Sequence, residues 1–162
     1  MHEKSIALLN HAVADELAAV HQYMYFHFHL DDQGYDALAS LFKRTAIMEM
    51  GHVEILAERI LFLKGEVEMK AAGEVQKVTD VKEILKLARD MEDASAKDYN
   101  AKAKICAENA DSATKKIFEN LVGDEEKHFD QFDKEVGKIE TFGDRYLALQ
   151  SIDGGKSEAS AD

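Results

Sequence analysis

A duplicated spacing of acidic and imidazole side chains constrains this chain more than any other feature. Glu16 is followed by Glu49 and His52, and Glu92 is followed by Glu125 and His128. Each member of the second set lies 76 positions beyond its counterpart in the first, and each lone glutamate precedes its Glu-x-x-His pair by 33 residues. Residues three apart project from one face of a helix, so the Glu and His of each pair reach a common point. One glutamate from each of two helices, with one Glu-x-x-His from each of two others, is the ligand pattern of a dinuclear carboxylate site inside a four-helix bundle. The pair alone would be weak, because seven histidines in a glutamate-rich chain yield roughly one such match by chance. The weight rests on the repeated offset.

The rest of the sequence permits such a bundle. Its 162 residues suffice for one domain with a real core, and no proline interrupts them. Apolar positions at spacings of three and four predict a first helix from about Glu3 to Leu30, through Ile6, Leu9, Val13, Leu17, Val20 and Met24. Asp31 to Gly34 form a turn, and a second helix runs from about Tyr35 to Lys64 with Gly65 as its terminating residue. Residues 65–79 lack periodicity and read as a long crossover. Thr79 is placed to cap a third helix ending near Glu108; a tight turn at Asn109 to Ser112 then leads into a fourth, running to about Gly137. A short fifth helix is expected over Asp144 to Ser151. The polar residues 153–162 read as a disordered tail, leaving residues 1–152 as the domain. Short, long and short connections give two antiparallel pairs joined by one crossover: an all-α, ferritin-like four-helix bundle with a short fifth C-terminal helix.

Heights then decide where the six residues meet. Glu16, Glu49, Glu92 and Glu125 each fall close to the midpoint of an expected helix, and midpoints share one level in an antiparallel bundle. Four carboxylates and two imidazoles converging in a core would be costly without a cation. The donor set is hard and mostly oxygen, suited to iron or manganese. Glu49 and Glu125 are placed to bridge two ions, with Glu16 and His52 serving one and Glu92 and His128 the other. Tyr23 and Tyr99 stand seven residues after Glu16 and Glu92, two turns along the same face. Tyrosines there commonly serve as packing residues, and the spacing also lets them sit beside the site.

Composition narrows the remaining classes. A net charge of −12 argues against unaided nucleic-acid binding and favours attraction of cations, although it serves solubility equally. The single cysteine, Cys106, excludes an internal disulfide and any Cys-based cluster, which suits a reducing, cytoplasmic setting; it reads as a small buried residue. Charges near the start leave no apolar run for a signal peptide, and no stretch is apolar enough to span a membrane. His21, His27 and His29 read as surface or interface residues, and His2 and His11 have no evident partners.

With these residues in view, the chain resembles the bacterioferritins over about residues 3–152. The segments that carry the likeness are Asp15 to Tyr23, Ile47 to His52, Ala57 to Leu63, Asp124 to His128 and Phe142 to Leu149. The resemblance implies a hollow shell of 24 subunits, oxidation of Fe(II) by dioxygen or hydrogen peroxide at a centre of two iron ions per subunit, and storage of ferric mineral inside. It also implies haem b or a related iron porphyrin shared between two subunits, with Met50 as its ligand, and a ferredoxin-type electron donor for iron release. Arg44 and Met48 depart from members that carry additional iron-binding side chains at those positions. A rubrerythrin-like peroxide reductase is the nearest alternative, but Ser95 stands where that family usually has another glutamate, and a Cys-based domain is missing. A metal-free helical interaction protein is the alternative from a different class.

Overall fold

A computed structural model describes residues 2–159, with side chains described over residues 2–151. Five helices follow in order: α1 Glu3–Asp32, α2 Asp36–Phe62, α3 Val81–Glu108, α4 Ser112–Phe142 and α5 Asp144–Ala159. Among the described residues there is no strand. α1 packs antiparallel on α2 and α3 on α4, and the two hairpins close on each other as a four-helix bundle. The crossover follows α1 from end to end. Asn10 holds the backbone of Glu66 and Glu68, the amide of Ala72 reaches the carbonyl of Ala14, and Gln22 pairs twice with the backbone of Gln76. A crossover pinned along its length leaves few unsatisfied backbone groups.

Helix ends differ in detail from the sequence expectation. Asp80, not Thr79, caps α3, its carboxylate accepting from the Glu83 amide at 3.1 Å. Both are good capping residues, and Asp80 stands three before Glu83, the spacing a capping box requires. At the end of α2 the left-handed residue is Lys64 (φ 63), one place before Gly65. The Gly65 amide bonds to the Ile60 carbonyl at 2.9 Å, closing a Schellman motif. Glycine is still favoured at 65, because a Cβ there would stand 2.8 Å from the Ile6 side chain, which would have to shift. α4 continues past Gly137 to Phe142, since burial of Ile139 outweighs one exposed glycine and the stop comes at Gly143, φ 54. α5 is longer than expected and takes in residues 153–159 of the expected polar tail, where no proline stops it despite Gly154 and Gly155. The end of that tail, 160–162, lies outside the described residues.

The core is divided into two apolar clusters. One contains Tyr23, Phe26, Phe42, Ile84, Ala88, Phe132 and Val136, closed by Tyr146 of α5. The other contains Leu9, Val13, Val53, Leu56, Tyr99, Phe118 and Leu121. On every helix the central glutamate falls between a residue of one cluster and a residue of the other: Glu16 between Val13 and Tyr23, Glu49 between Ala46 and Val53, Glu92 between Ala88 and Tyr99, Glu125 between Leu121 and Phe132. A polar layer thus crosses the middle of the bundle with dry packing on either side.

Candidate metal centre

Each of the six residues expected at the site is buried, between 0 and 4 % exposed. They meet as two overlapping groups, Glu16, Glu49, His52 and Glu125, and Glu49, Glu92, Glu125 and His128; within each group one donor atom per residue lies within 4.8 Å of the others. The two imidazoles face each other nearly parallel, 6.1 Å apart at their centroids. Nδ1 of His52 is 2.8 Å from Oε2 of Glu49, 3.0 Å from Oε1 of Glu125 and 3.2 Å from Oε1 of Glu16. Nδ1 of His128 is 3.0 Å from the other Glu49 oxygen and 3.6 Å from Oε2 of Glu92. Glu49 therefore presents one oxygen to each half of the site. A single ring nitrogen carries at most one proton and cannot satisfy three carboxylate oxygens. One cation among those atoms could.

Buried polar atoms give the sharper test of fit. Oε2 of Glu49, Oε2 of Glu92, Oε1 of Glu125 and Nε2 of His128 are buried without a hydrogen-bond partner. Among the described residues these are the unsatisfied buried side-chain polar atoms, and every one belongs to the six. Buried groups are nearly always satisfied, and a cluster of exceptions demands a cause. Oxygen-rich donors with two imidazoles fit two divalent iron or manganese ions, whose four positive charges balance four carboxylates.

The electrostatics agree. Burial pushes the Glu49 carboxyl well above the usual range, reinforced by the nearby Glu16 charge. Burial likewise drives the Glu125 carboxyl up to about 11. Glu92 moves the other way, burial being outweighed by the neighbouring Glu125 and His128 and by the hydrogen bond from Tyr23. Burial disfavours both imidazolium ions, yet contacts with Glu125, Glu16 and Glu49 raise His52, and those with Glu92 raise His128. Metal binding would displace any protons these carboxylates hold.

Residues around the six hold them in place. The Tyr23 hydroxyl donates to Oε1 of Glu92 at 2.5 Å, and the Tyr99 hydroxyl donates to Oε1 of Glu16. Both tyrosines also pack in the apolar clusters, so packing and polar contact are combined. Sequence reasoning missed Asp124, whose Oδ2 lies 3.1 Å from Nε2 of His52. With Nδ1 turned to the carboxylates, Nε2 donates to Asp124, which fixes the tautomer and the ring. The only sequence signal was its place one residue before Glu125, in a run of acids.

Other singled-out residues fall elsewhere. Met50 lies outside the bundle, 50 % exposed on the outer face of α2, in one stripe with exposed Ile47 and Leu61. Nδ1–H of His27 donates to the Ala39 carbonyl at 2.7 Å, joining α1 to α2, so His27 is a link within the hairpin and not a free surface group. The His29 ring lies tilted against Tyr25, 4.4 Å between centroids, and His21 is exposed. His2 and His11, without partners in the sequence reading, approach Asp111 at 3.6 Å and Asp15 at 3.2 Å. Cys106 is buried.

A four-helix bundle with one long crossover and this central carboxylate layer defines a ferritin-like protein. The sequence pattern of the ferritin-like domain matches residues 6–142. Bacterioferritin of Desulfovibrio desulfuricans is 40 % identical over 145 residues, covering 90 % of this chain and 81 % of that protein. Bacterioferritin of Rhodobacter capsulatus is 33 % identical over 147 residues, covering 90 % and 91 %. An X-ray structure of the Desulfovibrio protein, determined for its diiron site in different catalytic states, superposes with a TM-score of 0.89 at 39 % identity over 91 % of this chain and 86 % of that one. The chain belongs to the bacterioferritin family. Among the described residues no helix is long and apolar enough to cross a membrane.

Proposed function

We infer that the protein oxidises ferrous iron at the central carboxylate layer and stores the ferric product inside an oligomeric shell. The observation that carries this reading is the confinement of unsatisfied buried polar atoms to the six Glu and His side chains. Such a cluster also argues against a metal-free interaction protein. Glu16, Glu49, His52 and Glu125 would hold one iron and Glu49, Glu92, Glu125 and His128 the other, as the two overlapping donor groups support. Two ferrous ions give up two electrons, which reduce dioxygen with two protons to hydrogen peroxide, or hydrogen peroxide with two protons to water. The residues contribute position and charge: carboxylate oxygens favour the ferric state, Tyr23, Tyr99 and Asp124 orient their partners, and the flanking apolar clusters limit water.

Further parts of the reading concern the assembly. Residues 1–152 act as one ferritin-like domain, and 24 such subunits form a shell that isolates the mineral. Met50 would supply its thioether to an iron porphyrin, haem b or a relative, shared between two subunits. The half-exposed side chain, one turn from exposed Ile47 on the outer face of α2, supports this, since a thioether needs an apolar lining. Such a porphyrin would supply electron-transfer chemistry for iron release, with a ferredoxin-type donor, in the cytoplasm. The test is anaerobic loading with two Fe(II) per subunit followed by air. The parent should oxidise iron far faster than Glu92→Ala or His128→Ala, and equal rates would refute the assignment.

A further inference from the structure

A second group of metal-ligating side chains stands outside the central layer. His11 and Asp15 of α1 and Asp98 of α3 bring one donor atom each within 4.8 Å of the others. His11 and Asp15 are one helical turn apart, with Nδ1 to Oδ2 at 3.2 Å, and Asp98 reaches them across the α1–α3 seam. They line a cleft of about 360 Å³ whose wall includes the buried Tyr99. The Tyr99 hydroxyl donates to Glu16, so the cleft ends one side chain short of the central layer. Small residues, Ala18, Ala19, Ala94 and Ser95, keep the seam open there. Asp15 adjoins Glu16 in sequence and Asp98 adjoins Tyr99, so the same two helical turns carry both groups.

We propose that His11, Asp15 and Asp98 form a third, transient divalent-cation site that collects Fe(II) at the mouth of the α1–α3 cleft and passes it to the Glu16 side of the central layer. This rests on the ferrous-oxidation reading given above. One imidazole nitrogen and two carboxylate oxygens suit ferrous iron and equally zinc or cobalt. Three protein donors leave the remaining positions to water, and the exposed His11 ring, with 63 % of its side chain accessible, can swing away. Both properties suit capture and release, not storage. The ammonium of Lys102, itself buried, already holds one oxygen of Asp98. It fixes that carboxylate in the cleft. Two aspartates against one lysine keep the mouth net negative, and negative charge in a cleft raises the arrival rate of cations by about tenfold or more.

The intact protein tests this with Zn(II) as probe and Fe(II) as substrate. Anomalous diffraction from Zn(II)-soaked crystals of the parent should show the central pair and a third, weaker peak among His11, Asp15 and Asp98. His11→Ala is the safest variant, because an exposed ring contributes little to folding; Asp15→Asn is the second. Both should lose the third peak and keep the central pair. Initial oxidation at sub-saturating Fe(II) should slow on the order of tenfold in Asp15→Asn, which removes a ligand and a negative charge, and by about a few-fold in His11→Ala, which removes a ligand alone, with the loss falling on KM and not on kcat. No third peak in the parent, or unchanged KM in both variants, overturns the proposal. An empty central pair in the parent would overturn the ferrous-oxidation reading itself, and the proposal with it.

Discussion

Removing the acceptor that orients His52 should weaken one half of the centre and spare the other. Asp124 holds Nε2 of His52 at 3.1 Å, while Nε2 of His128 is buried without any partner. Loss of a carboxylate behind a metal-ligating imidazole costs about 10- to 100-fold in metal affinity. The Asp124 side chain is 43 % exposed, so water can replace much of what it supplies, and the effect should sit at the lower end. About tenfold, or roughly 1.4 kcal/mol, is the expected loss for Asp124→Ala. Asp124→Asn keeps an acceptor while losing the charge, and should lose only a few-fold. Anaerobic titration with Co(II) measures the affinity, and anomalous occupancies at sub-saturating Co(II) show which half has weakened. The expected result is depletion on the Glu16 and His52 side with normal occupancy beside Glu92 and His128. Equal weakening of both halves, or parent-like affinity in Asp124→Ala, would refute the reasoning.

Asp111 joins the start of α4 to Arg59 of α2 at 2.9 Å; burial raises its carboxyl, but hydrogen bonds from Ser5 and Thr114 and the Arg59 charge outweigh that and hold it at about 2. A folded value below the ordinary 3.8 contributes stability above pH 4 that is lost as the pH falls towards 2, about 2 kcal/mol in all. The stability gap between parent and Asp111→Asn, by denaturant unfolding, should therefore close between pH 4 and 2; a constant gap would contradict this. Ala110 ends α3 in the left-handed region at φ 56, where a Cβ is unfavourable, so Ala110→Gly should raise stability by up to about 1 kcal/mol and melting by a few degrees, measured by calorimetry. Met50→Leu should abolish low-spin porphyrin absorbance, expected in the parent at about one porphyrin per two subunits, and leave ferrous oxidation intact. Identical spectra would reduce Met50 to an interface residue.

The bundle and its central layer were legible because both follow from periodicity. The 76-residue offset between triplets and the near-central height of each glutamate required only helix spacing and antiparallel pairing. What stayed hidden depends on neighbours across helices. Asp124 reads as one more acid in Asp124-Glu125-Glu126, and only the packing of α4 against α2 reveals that it faces His52. Spacing put Tyr23 and Tyr99 near the site, but their pairing with Glu92 and Glu16 is a contact between α1 and α3. Helix ends at Asp80, Lys64 and Phe142 were misplaced by one to five residues because competing caps and a lone glycine differ by only about 1 kcal/mol before tertiary packing is added. His27 read as a surface or interface residue, and its link to the Ala39 carbonyl stayed hidden because that partner belongs to another helix.

An iron-edge anomalous map of protein loaded anaerobically with two Fe(II) per subunit bears most directly on the six-residue centre. Two peaks are expected, one at coordinating distance from Glu16 and His52, the other from Glu92 and His128, with Glu49 and Glu125 touching both. A single peak, or iron held away from the central layer, would contradict the assignment.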